Sequence, residues 1–188
     1  GNWLSDKAGS VCHAYQAACN ALIGALGILA GSQGTMNNFV WGNETFQNYE
    51  TIAGGTGAGP SFNGCDAVQT HMTNTKMTDP EILEKRFPVR LRTFAIRGGS
   101  GGAGAYRGGH GALRRLEFLT DVTVTTLCSH RVIPPFGVAG GDSGATGQNW
   151  AELPDGSRVE LKGNDEIDLP AGSIFGLATP GGGGWGAA

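Results

Sequence analysis

A single imidazole, His71, stands beside Thr70, Thr73, Asn74 and Thr75 in the string HMTNTKMTDPE, which runs from His71 to Glu81. Hydroxyls and amides both donate and accept hydrogen bonds, and an imidazole exchanges protons near neutral pH, so this set can orient a polar substrate. Glycine-punctuated runs flank it, GGTGAGPSFNGCDAVQT before and RGGSGGAGAYRGGHG after. Polar side chains on such tightly bending backbone suit a binding pocket better than a core. His71, Thr73, Asn74 and Thr75 are therefore candidate substrate-binding residues. Asn37, which comes after Gly34, and Glu50, close to Gly54 and Gly55, extend the candidate set. The same side chains can instead cap turns, and the residue types alone leave both readings open. No residue is assigned a catalytic role.

Other strings imitate known chemistry without its partners. Gly99, Gly101 and Gly104 satisfy GxGxxG, but such a loop receives a pyrophosphate only when it leads into a helix N-terminus. The next element, Ala112 to Leu119, has the composition of a strand, so a hairpin or corner is expected. GxxxxGK[ST] occurs nowhere, which excludes a P-loop ATPase. Gly141-Asp142-Ser143-Gly144 resembles the nucleophile loop of trypsin-like proteases, which carry their histidine base just before a cysteine. None of His13, His71, His110 and His130 precedes a cysteine, so a glycine turn is expected instead. Cys12 with His13, or Cys128 with His130, offers two metal ligands with no second pair at a zinc spacing. No metal site is expected here. Arg90, Arg92 and Arg97 read as the solvated face of a strand rather than as an anion clamp.

Composition sets the class. A chain of 188 residues can bury a sizeable core, and no repeat or linker divides it, so one unit over residues 1–188 is expected. Glycine is the anomaly at 34 residues, yet 39% of the chain is hydrophobic, and the glycines cluster between apolar runs as they do in neither collagen nor disordered chains. A net charge of −3 and the absence of basic runs argue against nucleic acid as a partner. The longest apolar stretch, Ala17 to Ala30, contains Asn20 and falls short of the roughly 20 residues that cross a bilayer, so no membrane partner is expected. The N-terminus has no signal-peptide pattern, and the start at Gly1-Asn2-Trp3 without methionine points to trimming or excision from a longer polypeptide. Cys12, Cys19, Cys65 and Cys128 lack disulfide-scaffold density and read as free thiols in a reducing, cytoplasmic compartment. Asn43-Glu44-Thr45 fits the glycosylation pattern, which stays idle without a secretory route.

The elements that must position these residues can be read from periodicity. Val11, Tyr15, Ala18, Leu22, Leu26 and Leu29 fall on one stripe of a helix, with Ser10 as N-cap and Gly31 as stop. Strands are expected at Phe46 to Ile52, Val89 to Ile96, Ala112 to Leu119, Val122 to Cys128, Arg158 to Leu161, Glu166 to Leu169 and Ser173 to Ala178. Pro154-Asp155-Gly156 is a turn, and DPEILEKR, from Asp79 to Arg86, carries a capping aspartate and an N1 proline that predict a short helix. Gly181 to Gly184 reads as a loop or a fraying end. The expected fold class is α+β, an N-terminal helix followed by a predominantly β, glycine-rich region.

Several longer blocks carry a resemblance. QGTMNN (Gln33 to Asn38), YETIAGGTGAGP (Tyr49 to Pro60), DAVQTHMTNTKMTDPEILEKRFPV (Asp66 to Val89), SGGAGAYRGGHG (Ser100 to Gly111) and TPGGGGWG (Thr179 to Gly186) resemble, in order, the C-terminal part of the hydantoinase B family. That family includes ATP-dependent 5-oxoprolinase, N-methylhydantoinase B subunits and acetone and acetophenone carboxylase subunits, and HMTNTKMTDPEI looks most like the first. The resemblance implies a parent enzyme that opens the lactam of 5-oxoproline to glutamate after ATP phosphorylates the amide oxygen. It further implies that ATP and a divalent metal are bound elsewhere in the parent, with no cofactor in this segment. Implied partners are a hydantoinase A-like domain or subunit, the remainder of the B subunit, a small cyclic amide and an oligomeric assembly. On this reading the segment supplies a cavity wall and a structural β region and has no turnover alone. A hydantoinase or carboxylase B-type segment, or a non-catalytic binding module, are the alternatives.

Overall fold

The computed structural model describes the backbone of residues 3–188 and the side chains from residue 14 onward. Expectations for Gly1-Asn2, and for the side chains of Val11, Cys12 and His13, lie outside the described residues. The elements in chain order are α1 (Trp3–Leu26), β1 (Asn38–Gly42), β2 (Gln47–Thr51), α2 (Pro80–Arg86), β3 (Val89–Arg97), β4 (Gly111–Phe118), β5 (Val122–Leu127), β6 (Gln148–Glu152), β7 (Arg158–Leu161), β8 (Asn164–Leu169) and β9 (Ile174–Ala178).

The first helix departs from expectation at both ends and in its orientation. Helical backbone runs through Ser10, so Ser10 is not the N-cap. The helix stops before Gly31, at Gly27, whose φ of 62° is left-handed. Gly27 N–H donates to Gly24 O (3.0 Å) and Ile28 N–H to Ile23 O (3.3 Å), a Schellman closure that satisfies two terminal carbonyls. The apolar stripe faces outward: Tyr15, Leu22 and Leu26 are 53%, 63% and 64% exposed. The buried face is polar instead. Gln16 Nε2 donates to Thr70 O (2.7 Å) and to Thr73 Oγ1 (3.2 Å), while Asn20 exchanges two hydrogen bonds with the Ser32 backbone. Hydrogen bonding to a polar loop, rather than apolar burial, decides which side of α1 meets the rest of the chain.

The strands form two antiparallel sheets, ordered β2-β1-β5-β8 and β3-β4-β9-β6-β7. All the expected strands form, together with β1 and β6, whose short sequences NFVWG and QNWAE carry no clear alternation. Asp79 caps α2 by accepting from Glu81 N–H (2.9 Å), as its sequence requires. One apolar core joins the two sheets, contributed by Phe39, Trp41 and Val124 from the first, Ile52 just after β2, and Leu116, Phe118, Phe175 and Leu177 from the second. Trp41 is its hub, with the rings of Phe87, Phe118 and Phe46 at 5.2, 5.5 and 6.2 Å.

A second core consists of backbone. Gly181 to Gly184 is a loop, as expected, but it is buried, so the expectation of a fraying end is overturned. Gly182 donates to Gly109 O and accepts from Gly102 N; Gly183 donates to Gly31 O and accepts from Ala58 N; Gly184 donates to Asp142 O and accepts from Val138 N, all at 2.8–3.0 Å. Neighbours along this segment therefore bond to different surrounding segments. The pattern recurs every third residue: Gly181 reaches Ala145 in the segment that receives Gly184, and Trp185 pairs with Tyr106 in the segment that receives Gly182. That is the geometry of an extended coil of about three residues per turn with no internal hydrogen bonds. Such coils bond sideways in three directions, and backbones approach this closely only without side chains. A methyl group on Gly182 would overlap the Thr56 carbonyl, and one on Gly183 the Phe136 carbonyl. The GxGxxG and GDSG strings belong to this bundle, where Gly102 bonds to Gly182 and Gly144 N–H to Pro135 O (2.9 Å). Among the described residues no imidazole hydrogen-bonds to Ser143.

Candidate functional site

His71 lies in the turn between the glycine bundle and α2, with a left-handed φ of 53°. The residue is exposed but its ring is partly covered by α1, where Nε2 lies 3.0 Å from Asn20 Oδ1. The direction of this bond can be deduced. Asn20 Oδ1 already accepts from Ser32 N–H and its amide nitrogen donates to Ser32 O, which fixes the amide orientation. His71 Nε2 must therefore carry the proton, leaving Nδ1 as the acceptor. Burial lowers the pKa of this imidazole from its ordinary value, which favours the neutral form.

A second histidine closes the same region. His130, also left-handed at φ 54°, places Nδ1 2.7 Å from Ile133 O. A carbonyl only accepts, so Nδ1 carries the hydrogen and Nε2 is bare. That bare nitrogen and the Asn20 amide close over Gly34, where a methyl group would strike both. Burial is the main cause that lowers the His130 pKa, and the charge of Arg131 adds to it. Two neutral imidazoles thus flank Asn20.

Arg131 continues the network inward. Its Nε and Nη2 donate to Asn149 Oδ1 (3.1 and 2.8 Å), and Nη1 donates to Ser129 O (2.9 Å) and Asn37 Oδ1 (3.1 Å). Asn37, fully buried with φ 46°, passes this polarisation on by donating to Gln33 Oε1 and to Ile52 O, both at 2.9 Å. Gln33 Nε2 ends the chain as a buried donor with no acceptor among the described residues. A cavity of about 300 Å³ opens beside His130 and Arg131, lined also by Cys128, Val132, Ile133 and Asn164.

The structure brings His71, Thr73 and Asn37 into one continuous polar region around α1 and places the other expected residues elsewhere. Thr73 is buried and ties its own turn, accepting from Thr70 N–H (3.1 Å) and donating to Thr70 O (2.8 Å). Asn74 is exposed, and the Thr75 hydroxyl hydrogen-bonds to that of Thr51. Glu50 sits between the sheets, where Arg114 Nε and Nη2 grip its carboxylate at 2.8 and 2.7 Å with side-chain exposures of 2% and 4%. Gly54 and Gly55 are buried in the glycine bundle, Gly55 N–H donating to Pro180 O (2.9 Å). Sequence reasoning misses Asn20, Gln33, His130 and Arg131 as members of this region. Gln16 and Asn20 do leave a signal there, since two amides four positions apart share one helical face.

Arg90 and Arg92 reach Glu117 at 3.7 and 2.9 Å, as a solvated strand face should. Arg97 does not share that solvated face. It turns inward at the end of β3, and Nη1 donates to Thr146 O (2.7 Å) and Thr179 O (3.1 Å) because the bundle brings those carbonyls to the strand end. Among the described residues no three His, Cys, Asp or Glu side chains gather into a metal ligand set. No described helix is long and apolar enough to cross a membrane.

Comparison with known proteins gives this arrangement a context. The chain is 46% identical over 167 residues to 5-oxoprolinase of Dictyostelium discoideum, a match covering 89% of this chain and 13% of that protein. It is 47% identical over 171 residues to 5-oxoprolinase 1 of Arabidopsis thaliana, covering 91% and 14%. The chain therefore spans about a seventh of the length of these relatives. In fold it is similar to the ATP-dependent caprolactamase of Pseudomonas jessenii, with a TM-score of 0.73 at 21% identity over 85% of this chain and 30% of that one. It is also similar to nucleotide-free acetone carboxylase, with a TM-score of 0.70 at 21% identity over 84% and 26%. The family model described as hydantoinase B/oxoprolinase matches residues 5–188, and the chain belongs to that family.

Proposed function

We propose that this chain is part of an ATP-dependent enzyme that opens a cyclic amide, with 5-oxoproline as the substrate. The observation that carries this reading is the identity of 46–47% with 5-oxoprolinases along about nine-tenths of the chain. The chemistry accounts for ATP. A five-membered lactam is a poor electrophile, and a phosphoryl group transferred to its oxygen activates the carbon toward water. Water adds there, the ring C–N bond breaks with nitrogen taking a proton, and a second water releases phosphate from the resulting acyl phosphate. The nucleotide and a divalent metal are assigned to other parts of the parent enzyme. The role given to this chain is a polar wall in which His71, with Nδ1 as a free acceptor, faces the amide.

The parent enzyme, assayed with 5-oxoproline, hydantoins and acetophenone, each with ATP, tests the substrate. Release of glutamate from 5-oxoproline is expected. Its absence, with turnover of hydantoin or acetophenone, would reassign the chain to a hydantoinase or carboxylase B-type subunit. Replacing His71 by alanine in the parent should lower kcat/KM by about tenfold or more, the scale of a lost hydrogen bond to substrate. Unchanged kinetics would leave His71 and its threonines as turn formers.

The exposed apolar stripe of α1 bears on the partner. We assign its cover to the remainder of the B-type subunit, because Tyr15, Leu22 and Leu26 present a helix-length apolar surface and the relatives are far longer than this chain. A hydantoinase A-like domain or subunit completes the proposed assembly.

A further inference from the structure

Arg97 and Arg131 hold positive charge in partly buried surroundings with no anion. Among the described residues neither has a carboxylate within ion-pair distance, whereas Arg90, Arg92, Arg107, Arg114, Arg115 and Arg158 all do. Their hydrogen bonds go instead to neutral oxygens: Thr146 O and Thr179 O for Arg97, and Asn149, Asn37 and Ser129 O for Arg131. Neutral oxygens fix a guanidinium in place but leave its charge uncompensated, which is costly where the group is buried, as at Arg131, whereas the unused edge of Arg97 stays open to solvent and to a ligand. The two cations are also neighbours. Arg97 Nη1 bonds to the Thr146 carbonyl, and the adjoining Gly147 packs directly against the guanidinium of Arg131. Burial lowers the pKa of Arg97, and the nearby charge of Arg131 lowers it further.

The unused donors show which residue a ligand would touch. Arg131 spends all three of its nitrogens on protein oxygens. Among the described residues Arg97 spends only Nη1, so its Nε and Nη2 keep a side-by-side pair of N–H groups. That edge of a guanidinium matches two oxygens of a carboxylate or a phosphate. Thr146, half-buried beside it, has a hydroxyl that takes no described partner.

We propose that Arg97 is the contact residue of a receptor for a small oxyanion, with Arg131 as a fixed second charge behind it. A carboxylate on the cyclic amide substrate and inorganic phosphate share this chemistry. Only the substrate assignment rests on the function proposed above; the receptor itself does not.

The test monitors the arginine side-chain N–H resonances of the 188-residue chain during titration at constant ionic strength with acetate, 5-oxoproline, 2-pyrrolidinone and inorganic phosphate. Saturable shifts of Arg97 Nε–H with acetate and 5-oxoproline, and none with the uncharged 2-pyrrolidinone, are expected. The response should vanish in Arg97→Gln. It should weaken about tenfold in Arg97→Lys, which keeps the charge and loses the fork. Saturation by phosphate but not by acetate would support the receptor and name phosphate as its anion. Binding of 2-pyrrolidinone and 5-oxoproline alike, unaffected by Arg97→Gln, would overturn the receptor and leave the lactam reading intact. Acetate binding without any lactam binding would keep the receptor and count against the lactam. Failure of both acetate and phosphate to saturate would overturn the receptor outright.

Discussion

At the scale of single residues, the placement of charge decides most of what this chain can do. Glu50 reads as a candidate binding residue because it stands near glycines, and its alternation with Phe46, Asn48 and Ile52 puts it on the inward face of a strand. A buried carboxylate needs a cation, and Arg114 on the opposite sheet supplies one, which sequence alone does not pair with it. Glu50→Gln should therefore destabilise the chain by about 3–5 kcal/mol in urea denaturation, because it leaves Arg114 buried without an anion. The double variant Glu50→Met with Arg114→Met should cost less than Glu50→Gln, since no buried charge then remains. Equal or additive losses would show that the ion pair is not the source of the effect. The two imidazoles give a pH signature with a definite sign. His71 and His130 have pKa values below 6.5 in the folded chain and about 6.5 when unfolded, so between those values the unfolded chain binds more protons. Stability is complete above pH 6.5 and is lost as pH falls through the folded values. The urea midpoint should drop between pH 7.5 and pH 5.5, and His130→Gln should flatten that drop. A midpoint that is the same at both pH values would show that neither imidazole is protected.

Among the elements, legibility tracks the strength of the local signal. Strands with β-branched residues and a helix with both an aspartate cap and an N1 proline form where their sequences place them. β1 and β6 escape because neither NFVWG nor QNWAE alternates, and burial rather than alternation marks them. The α1 stripe is legible but its outward orientation is not, because periodicity shows that a helix has two faces and not which one is covered. The segment Gly181 to Gly184 misleads for a related reason. Composition without side chains resembles a flexible end until the carbonyls that surround it are known. Two glycine substitutions separate these situations. Gly98 has open space around its Cβ position and no left-handed φ, so Gly98→Ala should be neutral or stabilise by about 0.4–1 kcal/mol. Gly182→Ala has no room, and its cost should exceed the roughly 1–3 kcal/mol of an overpacked apolar core, because backbone carbonyls cannot rotate aside. Thermal melts of both variants check this, and similar melting temperatures for the two would count against a backbone-packed core.

For the whole molecule, two cores of different kinds support one polar region. The apolar core between the sheets fixes β3, which ends at Arg97, and β4, and the glycine bundle adjoins the loops that carry His71 and His130. The candidate residues are partly legible because the HMTNT string is local, whereas Asn20, His130 and Arg131 come from distant parts of the chain and converge only through the fold. The outward apolar face of α1 gives a prediction at this scale. Leu22→Glu and Leu26→Glu should leave the melting temperature of this chain within a few degrees, since both side chains are exposed here. In the parent enzyme the same substitutions should lower its melting temperature or dissociate the assembly. Tolerance of both in the parent would mean that nothing covers this face.

The hub of the glycine bundle has a consequence for biosynthesis. The segments it joins, around Gly31, Ala58, Gly109 and Asp142, all leave the ribosome before Gly182 and Gly183 do. Until those glycines emerge, Gly31 O, Ala58 N–H, Gly109 O and Asp142 O lack their partners, although the earlier segments can already bond to one another through pairs such as Ala30 N–H to Ala58 O and Gly109 N–H to Thr56 O. Closure of such sequence-distant contacts is slow. A stop codon or frameshift near residue 180 would therefore remove the centre of the bundle rather than a frayed end.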